Sequence, residues 1–483
     1  MIDTKKTSLF RTKSVEAYKK EAASDKSFVK SFGVIQLILL GIGAIIGGGV
    51  FVFTGTAAYN HTGPAIVLSF ALGGFVCICA GLCYAEFASA IPVSGSSYTY
   101  IYTTLGEFPA WLVGCSVILA YFLTAASVAN GWSSYFVGLL DYFNIHLPEK
   151  FVHTTGYEFV NSEGLIDHAL FDLPAFTICF LTMLVLYKGT KDSSIVNGII
   201  VFIKMSILIA FVILGFSKLD TANWTPFIPK NTGVFGEYGF SGILAGTSIV
   251  FLAFNGFDSI CTAAQETKNP KKNLPIAIIV SIVIATISYI IVGAVLTGVV
   301  NYTELNTSQP FAIAALKIGI PSFVLFVKIG SVAALTSVVL IHQYAIVRMI
   351  YTITNDGLLP TIFKRMHKTH HTPYFTTVLF GLAMGVVSST IPLDQTVRLS
   401  TCFLLLTIIA VCISLVYLRH SQPNLQRGFR CPFVPVVPGI AILLSVQIIF
   451  SYPQSVYFYA FICLLICSLY YIFYARYKSK LAR

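Results

Sequence analysis

Two short strings hold the residues best placed to do chemistry. The first is GAIIGGGVF (43–51), and the second is FLAFNGFDS (251–259). Each interrupts an apolar run. A lone glycine in a helix costs about 1 kcal/mol against alanine, so Gly47, Gly48 and Gly49 together predict a local break. Asn255-Gly256 predicts a second. A helix broken at mid-membrane exposes N–H and C=O groups that lipid cannot satisfy. It persists only when buried in protein, lining water or holding a ligand. N–H groups at the start of a half-helix favour an anion, and carbonyls at the end of one favour a cation. A zwitterion fits between two such breaks. Its carboxylate would approach the bare backbone of Gly47, Gly48 and Gly49, and its ammonium the carbonyls of Leu252, Ala253 and Asn255. The pair of breaks therefore points to an α-amino acid. Close packing of two helices is the plainer reading of a glycine-rich stretch. Three consecutive glycines with a matching later break weigh towards binding.

Charged residues inside apolar runs come next. Lys204, in NGIIVFIKMSILIAF, lies about ten residues, or roughly 15 Å, into its helix. A lysine that deep costs a few kcal/mol unless paired or neutral. Burial disfavours its charged form, so such a group can bind and release a proton; the static alternative is a lysine that ties helices together. His342 is a second proton-binding candidate, although a lone histidine is more often a satisfied core residue. Glu86 reads as a structural salt bridge or gate contact. Asp258 reads as a carboxylate stabilised by the dipole of the half-helix it precedes. Lys328 is close enough to a helix end to snorkel. The cluster His367, His370 and His371 reads as a solvated basic loop. No nucleophile–base pair, phosphate loop or metal constellation is present in the sequence, so an enzyme is not expected and no cofactor or metal is implied. The eleven cysteines lie almost entirely in apolar runs and read as buried core thiols.

The elements that must position these groups follow from composition. The 483 residues are 56% hydrophobic and only 11% charged, with mean hydropathy +0.80. Soluble domains are about a quarter charged, so the chain is expected to be an all-α integral membrane protein, with the lipid bilayer as its surroundings. Apolar runs of roughly 20 residues are the length a helix needs to cross. Twelve spans are expected: 34–58, 65–91, 108–139, 171–189, 194–216, 239–263, 275–299, 321–346, 374–392, 397–418, 433–452 and 455–475. Spans 1 and 6, which hold the breaks, each open a set of five. That is the pattern of a 5+5 inverted repeat, repeat one covering about 34–216 and repeat two about 239–418. Helices 11 and 12 follow over about 433–475, making one membrane domain over 34–476 between tails at 1–33 and 477–483. No apolar signal segment precedes span 1. The tails and the loops on their side, with Lys188 at the inner end of span 4, hold 24 of the 31 Lys and Arg. By the positive-inside rule both termini are cytoplasmic, in a plasma membrane or, in a bacterium, the cell inner membrane. The +11 charge thus reflects topology and not a nucleic-acid partner. That side is the basic face of the protein, and the opposite side the acidic face.

These strings, with YAEFASAIPVSGSSYTYIYTTLGEFPAW (84–111), FNGFDSICTAAQETKNPKKNLPIAI (255–278) and NDGLLP (355–360), resemble the amino acid–polyamine–organocation superfamily. The likeness, over about 30–440, is greatest to the cationic amino acid transporter family and its bacterial relatives. It implies a LeuT-type fold, in which spans 1, 2, 6 and 7 rock against a scaffold of spans 3, 4, 8 and 9. By motif, carboxylate contacts fall on Ile46, Gly47, Gly48 and Gly49 and amine contacts on Leu252, Ala253 and Asn255, with Phe254 as the aromatic that shields the substrate. A span 5 lysine occupies a sodium position in proton-coupled members, so the resemblance implies a secondary active, proton-coupled symporter. Lys204 would then neighbour carbonyls near Gly43 and the hydroxyls of Thr336 and Ser337. Departures touch the pocket: Gly48 stands where the family usually has Thr or Ser, Asn255 often where it has Ile, and Ser116 and Ala120 where many bacterial relatives have acidic residues. An exchanger or facilitator without proton coupling, and an amino acid sensor, are the remaining readings.

Overall fold

The computed structural model describes residues 9–24, 30, 32–93, 95–160, 164–189, 193–367 and 372–482; His370 and His371 fall outside them. Among the described residues, nine helices are long and apolar enough to cross a membrane. They are Val34–Phe51, Phe53–Ala90, Glu107–Tyr142, Gly198–Phe216, Gly239–Thr262, Pro270–Val299, Pro321–Asn355, Leu393–Ser421 and Gln454–Lys478. Three shorter apolar helices, Leu173–Lys188, Tyr374–Thr390 and Val436–Phe450, occupy the places of spans 4, 9 and 11. Their ends follow local chemistry. Leu173–Lys188 starts where the Asp172 carboxylate accepts the Ala175 N–H at 3.0 Å, an N-cap that satisfies one of the four orphan donors. Pro270–Val299 and Pro321–Asn355 open on proline, whose missing N–H is harmless in the first turn.

Packing sorts the helices into two groups. Span 2 lies along span 7, and span 7 along span 1; span 3 lies along spans 8 and 10, and span 4 along span 9. The outer surface is apolar: on span 5, Phe202, Ile209, Ile213 and Phe216 are all exposed. A soluble protein would not leave such a stripe in water, whereas hydrocarbon accepts it.

The 140–170 loop forms an antiparallel hairpin of Glu158–Val160 and Ile166–His168, with Phe159 opposite Asp167. On the same acidic face the short helix Pro310–Ile318 lays Phe311 between Phe51 of span 1 and Phe211 of span 5. Two features of the basic face are invisible to hydropathy. A buried helix, Ser96–Thr104, lies between spans 2 and 3. The N-terminal segment is strapped beneath the bundle by Arg11–Glu107 and Lys13–Asp356 ion pairs, each 2.7 Å.

Candidate functional site

The backbone departs from regular α-helix within both strings. The first helix ends at Ile45, Ile46 is extended, and a new turn begins at Gly48. In the second, Gly239–Val250 tightens into a 3₁₀ turn at Phe251–Phe254. Asn255 is then extended, Gly256 takes φ +109°, and Ser259–Thr262 resumes. That φ is open to glycine at no steric cost.

The breaks are packed on each other. A Cβ at Gly49 would lie 2.7 Å from the Ala253 nitrogen and closer still to its Cα. A Cβ at Gly256 would lie 2.9 Å from the Cβ of Ala44 and 3.1 Å from its carbonyl oxygen. Gly49 is therefore needed for close approach of backbone to backbone, the packing role that small residues play between membrane helices. Gly47 and Gly48 face side chains instead, Val338 of span 8 and Val128 of span 3. Gly48 and Gly49 open the second half-helix, positions whose N–H groups an α-helix leaves without an intrahelical partner. Gly47, Gly48, Gly49, Leu252, Ala253, Phe254 and Asn255 are all buried, so the site is closed to both faces.

Lys204 sits beside this junction and is fully buried. Its Nζ donates to the carbonyls of Gly43 at 2.8 Å and Ile46 at 2.7 Å, with Ser337 Oγ at 3.5 Å. The ammonium thus occupies the end of the first half-helix, where carbonyls favour a cation. Thr336, expected in the same set, is elsewhere: its hydroxyl accepts from Trp132 Nε1 and donates to Val332 O, both at 2.8 Å. One residue of rotation on a helix separates Thr336 from Ser337 by about 100°, enough to turn it to span 3. Ile46 also differs from expectation. Its N–H closes on Ile42 O at 3.0 Å and Lys204 takes its carbonyl, so it presents no free N–H to a carboxylate.

The second break is more heavily bonded than the sequence suggests. Tyr289 of span 7 sets its hydroxyl 2.9 Å from Ile45 O and 2.8 Å from Ala253 O, joining the two breaks. Leu252 O accepts the Asn255 N–H at 3.0 Å. The Asn255 amide donates to Thr124 Oγ1, which also lies 2.6 Å from Ser400 Oγ, while Asn255 Oδ1 has no partner. Phe254 packs its ring on Tyr289 and against Gly73, between spans 7 and 2.

Glu86 and Asp258 are both fully buried and have opposite surroundings. Glu86 holds Arg419 through two hydrogen bonds of 3.1 and 2.6 Å, lies 3.0 Å from Arg427, and accepts the Cys431 N–H at 2.7 Å. Asp258 occupies an N-cap position, but its carboxylate accepts no capping hydrogen bond and has no partner on either oxygen. Lys328, at the acidic end of span 8, donates to Gly138 O. Tyr289, Trp132 and the Glu86 partners carry no sequence signal, because buried tyrosines and tryptophans look alike in a string and Arg419 is 333 residues from Glu86.

The chain is similar to known proteins along most of its length. Residues 32–464 match the amino acid permease family. The chain is 38% identical over 477 residues to a branched-chain amino acid permease of Bacillus subtilis (strain 168), covering 99% of both chains. It is 37% identical over 475 residues to a methylthioribose transporter of the same organism, covering 98% of this chain and 99% of the relative. It is 32% identical over 406 residues to cationic amino acid transporter 4 of Mus musculus, covering 84% of this chain and 62% of the relative.

Proposed function

The chain belongs to the amino acid permease family, and from that premise we propose that it is a proton-coupled amino acid symporter working by alternating access. In this reading twelve spans form a LeuT-type 5+5 repeat in the cell membrane, with both termini cytoplasmic. The observation that carries it is the junction itself: two broken helices abut, and Lys204 fills the carbonyl end of the first. A cation held there by the protein removes the need for a bound metal ion, and a lysine can lose its charge by releasing a proton.

The substrate carboxylate goes to the N–H groups of Gly47 and Gly48. Gly49, pressed on Ala253, contributes by letting the breaks meet. The amine goes to the free lone pairs of the Leu252 and Asn255 carbonyls, with Ala253 O already held by Tyr289. The side chain then faces Val128 and Val338, and the span 3 positions Ser116 and Ala120 supply no acid. These surroundings suit a neutral, branched aliphatic amino acid, in keeping with the relative named as a branched-chain permease. A second reading is favoured by the Asn255–Thr124–Ser400 cluster, whose hydroxyls and amide would suit a thio-sugar without carboxylate or ammonium, as in the relative named for methylthioribose.

Uptake into proteoliposomes of labelled valine, leucine, alanine, lysine, glutamate and methylthioribose, with and without an inward proton gradient, decides between them. Accumulation of valine or leucine only with the gradient, lost in Lys204→Ala, is the expected result. Gradient-driven accumulation by Lys204→Ala would overturn the coupling role. Uptake that merely equilibrates would make the chain a facilitator or exchanger, and preference for methylthioribose would overturn the amino acid reading.

A further inference from the structure

One turn on the basic side of the breaks, side chains from three helices meet. Asp258 follows the span 6 break, Tyr121 lies on span 3 below Thr124, and His342 lies on span 8 below Val338. The Tyr121 hydroxyl faces the Asp258 carboxylate, and the Tyr121 and His342 rings pack edge to face with centroids 5.3 Å apart. Relative exposures are 1%, 0% and 2% for Tyr121, Asp258 and His342. Both Asp258 oxygens, the Tyr121 hydroxyl and His342 Nε2 are without hydrogen-bond partners. His342 Nδ1 lies 2.9 Å from Val338 O. A ring nitrogen meets a carbonyl only as a donor, so neutral His342 leaves Nε2 as a bare acceptor.

The other titratable groups facing Asp258 are Tyr84 and Cys77 of span 2, Tyr100 of the Ser96–Thr104 helix and Cys261 on its own half-helix. None is a cation. Lys204 directs its ammonium to Gly43, Ile46 and Ser337 instead. A purely structural carboxylate looks like Asp172, which accepts from Ser133 at 2.6 Å and Ala175 N–H at 3.0 Å. Asp258 makes no hydrogen bond on either oxygen and has no counter-ion, and an isolated buried carboxylate is far costlier than the neutral acid. Acid, hydroxyl and bare ring nitrogen lie side by side, each with hydrogen-bonding capacity that the closed form leaves unused.

We infer that Asp258, Tyr121 and His342 form a second proton site, separate from Lys204, in which Asp258 holds a proton while the breaks are closed. When the basic face opens, the Asp258 O–H bond breaks, the proton passes to water, and the carboxylate left behind takes the Tyr121 hydroxyl as donor. The gate over the site is the Ser96–Thr104 helix, whose Ser96 Oγ donates to Asp258 O at 3.3 Å and whose Ser97 Oγ lies 2.8 Å from Tyr84 OH. The release step rests on the transport reading; the protonated state in the closed form does not.

Infrared spectroscopy of the full chain in lipid at neutral pH tests this. A protonated-carboxyl stretch is expected in the wild type, absent in Asp258→Asn, present in Lys204→Ala and shifted in Tyr121→Phe. No such band in the wild type, or an unchanged band in Asp258→Asn, overturns the inference. Should Asp258→Asn fail to purify as a monodisperse protein, Tyr121→Phe carries the test, and an unshifted band overturns it. A bandless wild type that binds cationic amino acids only while Asp258 is intact would make the group a cation subsite instead. The two readings fail separately: a band without uptake of any substrate sinks transport alone, and gradient-driven uptake without a band sinks the second proton site alone.

Discussion

Gly49→Ala should be a severely damaging single-methyl addition, and its size can be worked from the junction. Carbon–carbon contacts are comfortable at about 3.5–4.0 Å. The new Cβ would sit 2.7 Å from the Ala253 nitrogen and closer to Cα, so the two breaks must part by about 1 Å or more. Overpacking costs about 1–3 kcal/mol where side chains can yield. Here the obstacle is backbone, which places the cost at about 3 kcal/mol or above, roughly a hundredfold in the folded-to-unfolded ratio. Gly48→Ala meets the Val128 side chain at 2.6 Å, and a strained rotamer relieves it for about 1 kcal/mol. The assay is thermal unfolding of purified variants alongside substrate uptake. Gly49→Ala is expected to lose uptake and most of its stability, and Gly48→Ala to keep both in part. Ala253→Gly should not rescue Gly49→Ala, because the nitrogen and Cα remain. Equal tolerance of the two alanines, or rescue by Ala253→Gly, would show that the breaks do not abut as described.

Three other expectations follow from single contacts. Tyr289→Phe keeps the ring but leaves Ile45 O and Ala253 O without their shared donor; about 1–3 kcal/mol of stability should be lost, with KM for uptake raised, and an unshifted Tm would refute the bridge. Glu86→Gln strands the buried Arg427 charge, whose side chain is 3% exposed. Breaking such a pair costs about 3–5 kcal/mol, whereas Arg419→Gln, at a side chain 29% exposed, should cost less; the reverse order in thermal unfolding would contradict the pairing. Asp356→Asn removes a carboxylate that Lys13 and Tyr98 hold at 2.7 and 2.8 Å. Limited proteolysis should then cut the N-terminal segment faster than in the wild type, and equal rates would mean the strap does not depend on that ion pair.

Much of this architecture was legible in the string because bilayer length forces long apolar runs and a broken run is hard to hide. The positions of the breaks follow from Gly47–Gly49 and Asn255-Gly256, and the depth of Lys204 from counting residues. What the string could not assign was which face of each residue is used. Gly49 reads as a bare N–H donor, yet its Cα surface is what matters, since Ala253 lies against it. Thr336 and Ser337 are adjacent letters, but one turns to Trp132 and the other to Lys204. The hydroxyl of Tyr289 ties the breaks together, although nothing local distinguishes it from the other buried tyrosines of the core. The Ser96–Thr104 helix was missed for a different reason: it is buried without being markedly apolar, its side chains being mostly Ser, Thr and Tyr.

The contacts around the junction also divide into those that bind the breaks to each other and those that bind them to the rest. Gly49 on Ala253, Gly256 on Ala44 and Tyr289 on both carbonyls are of the first kind. Gly47 on Val338, Gly48 on Val128, Asn255 to Thr124, and the Lys204 bonds to Gly43 and Ile46 are of the second. Backbone against backbone leaves no rotamer by which to yield, so the first set resists sliding. The second set runs through side chains, the Lys204 ammonium among them. Opening should therefore carry both breaks together as one body and part them from spans 3, 5 and 8. Hydrogen–deuterium exchange read by mass spectrometry, with and without substrate, checks this: peptides over 43–51 and 251–259 should gain protection in step. Protection of 251–259 with 43–51 unchanged would mean that the breaks move apart, and that Gly49 is a hinge between them instead of a weld.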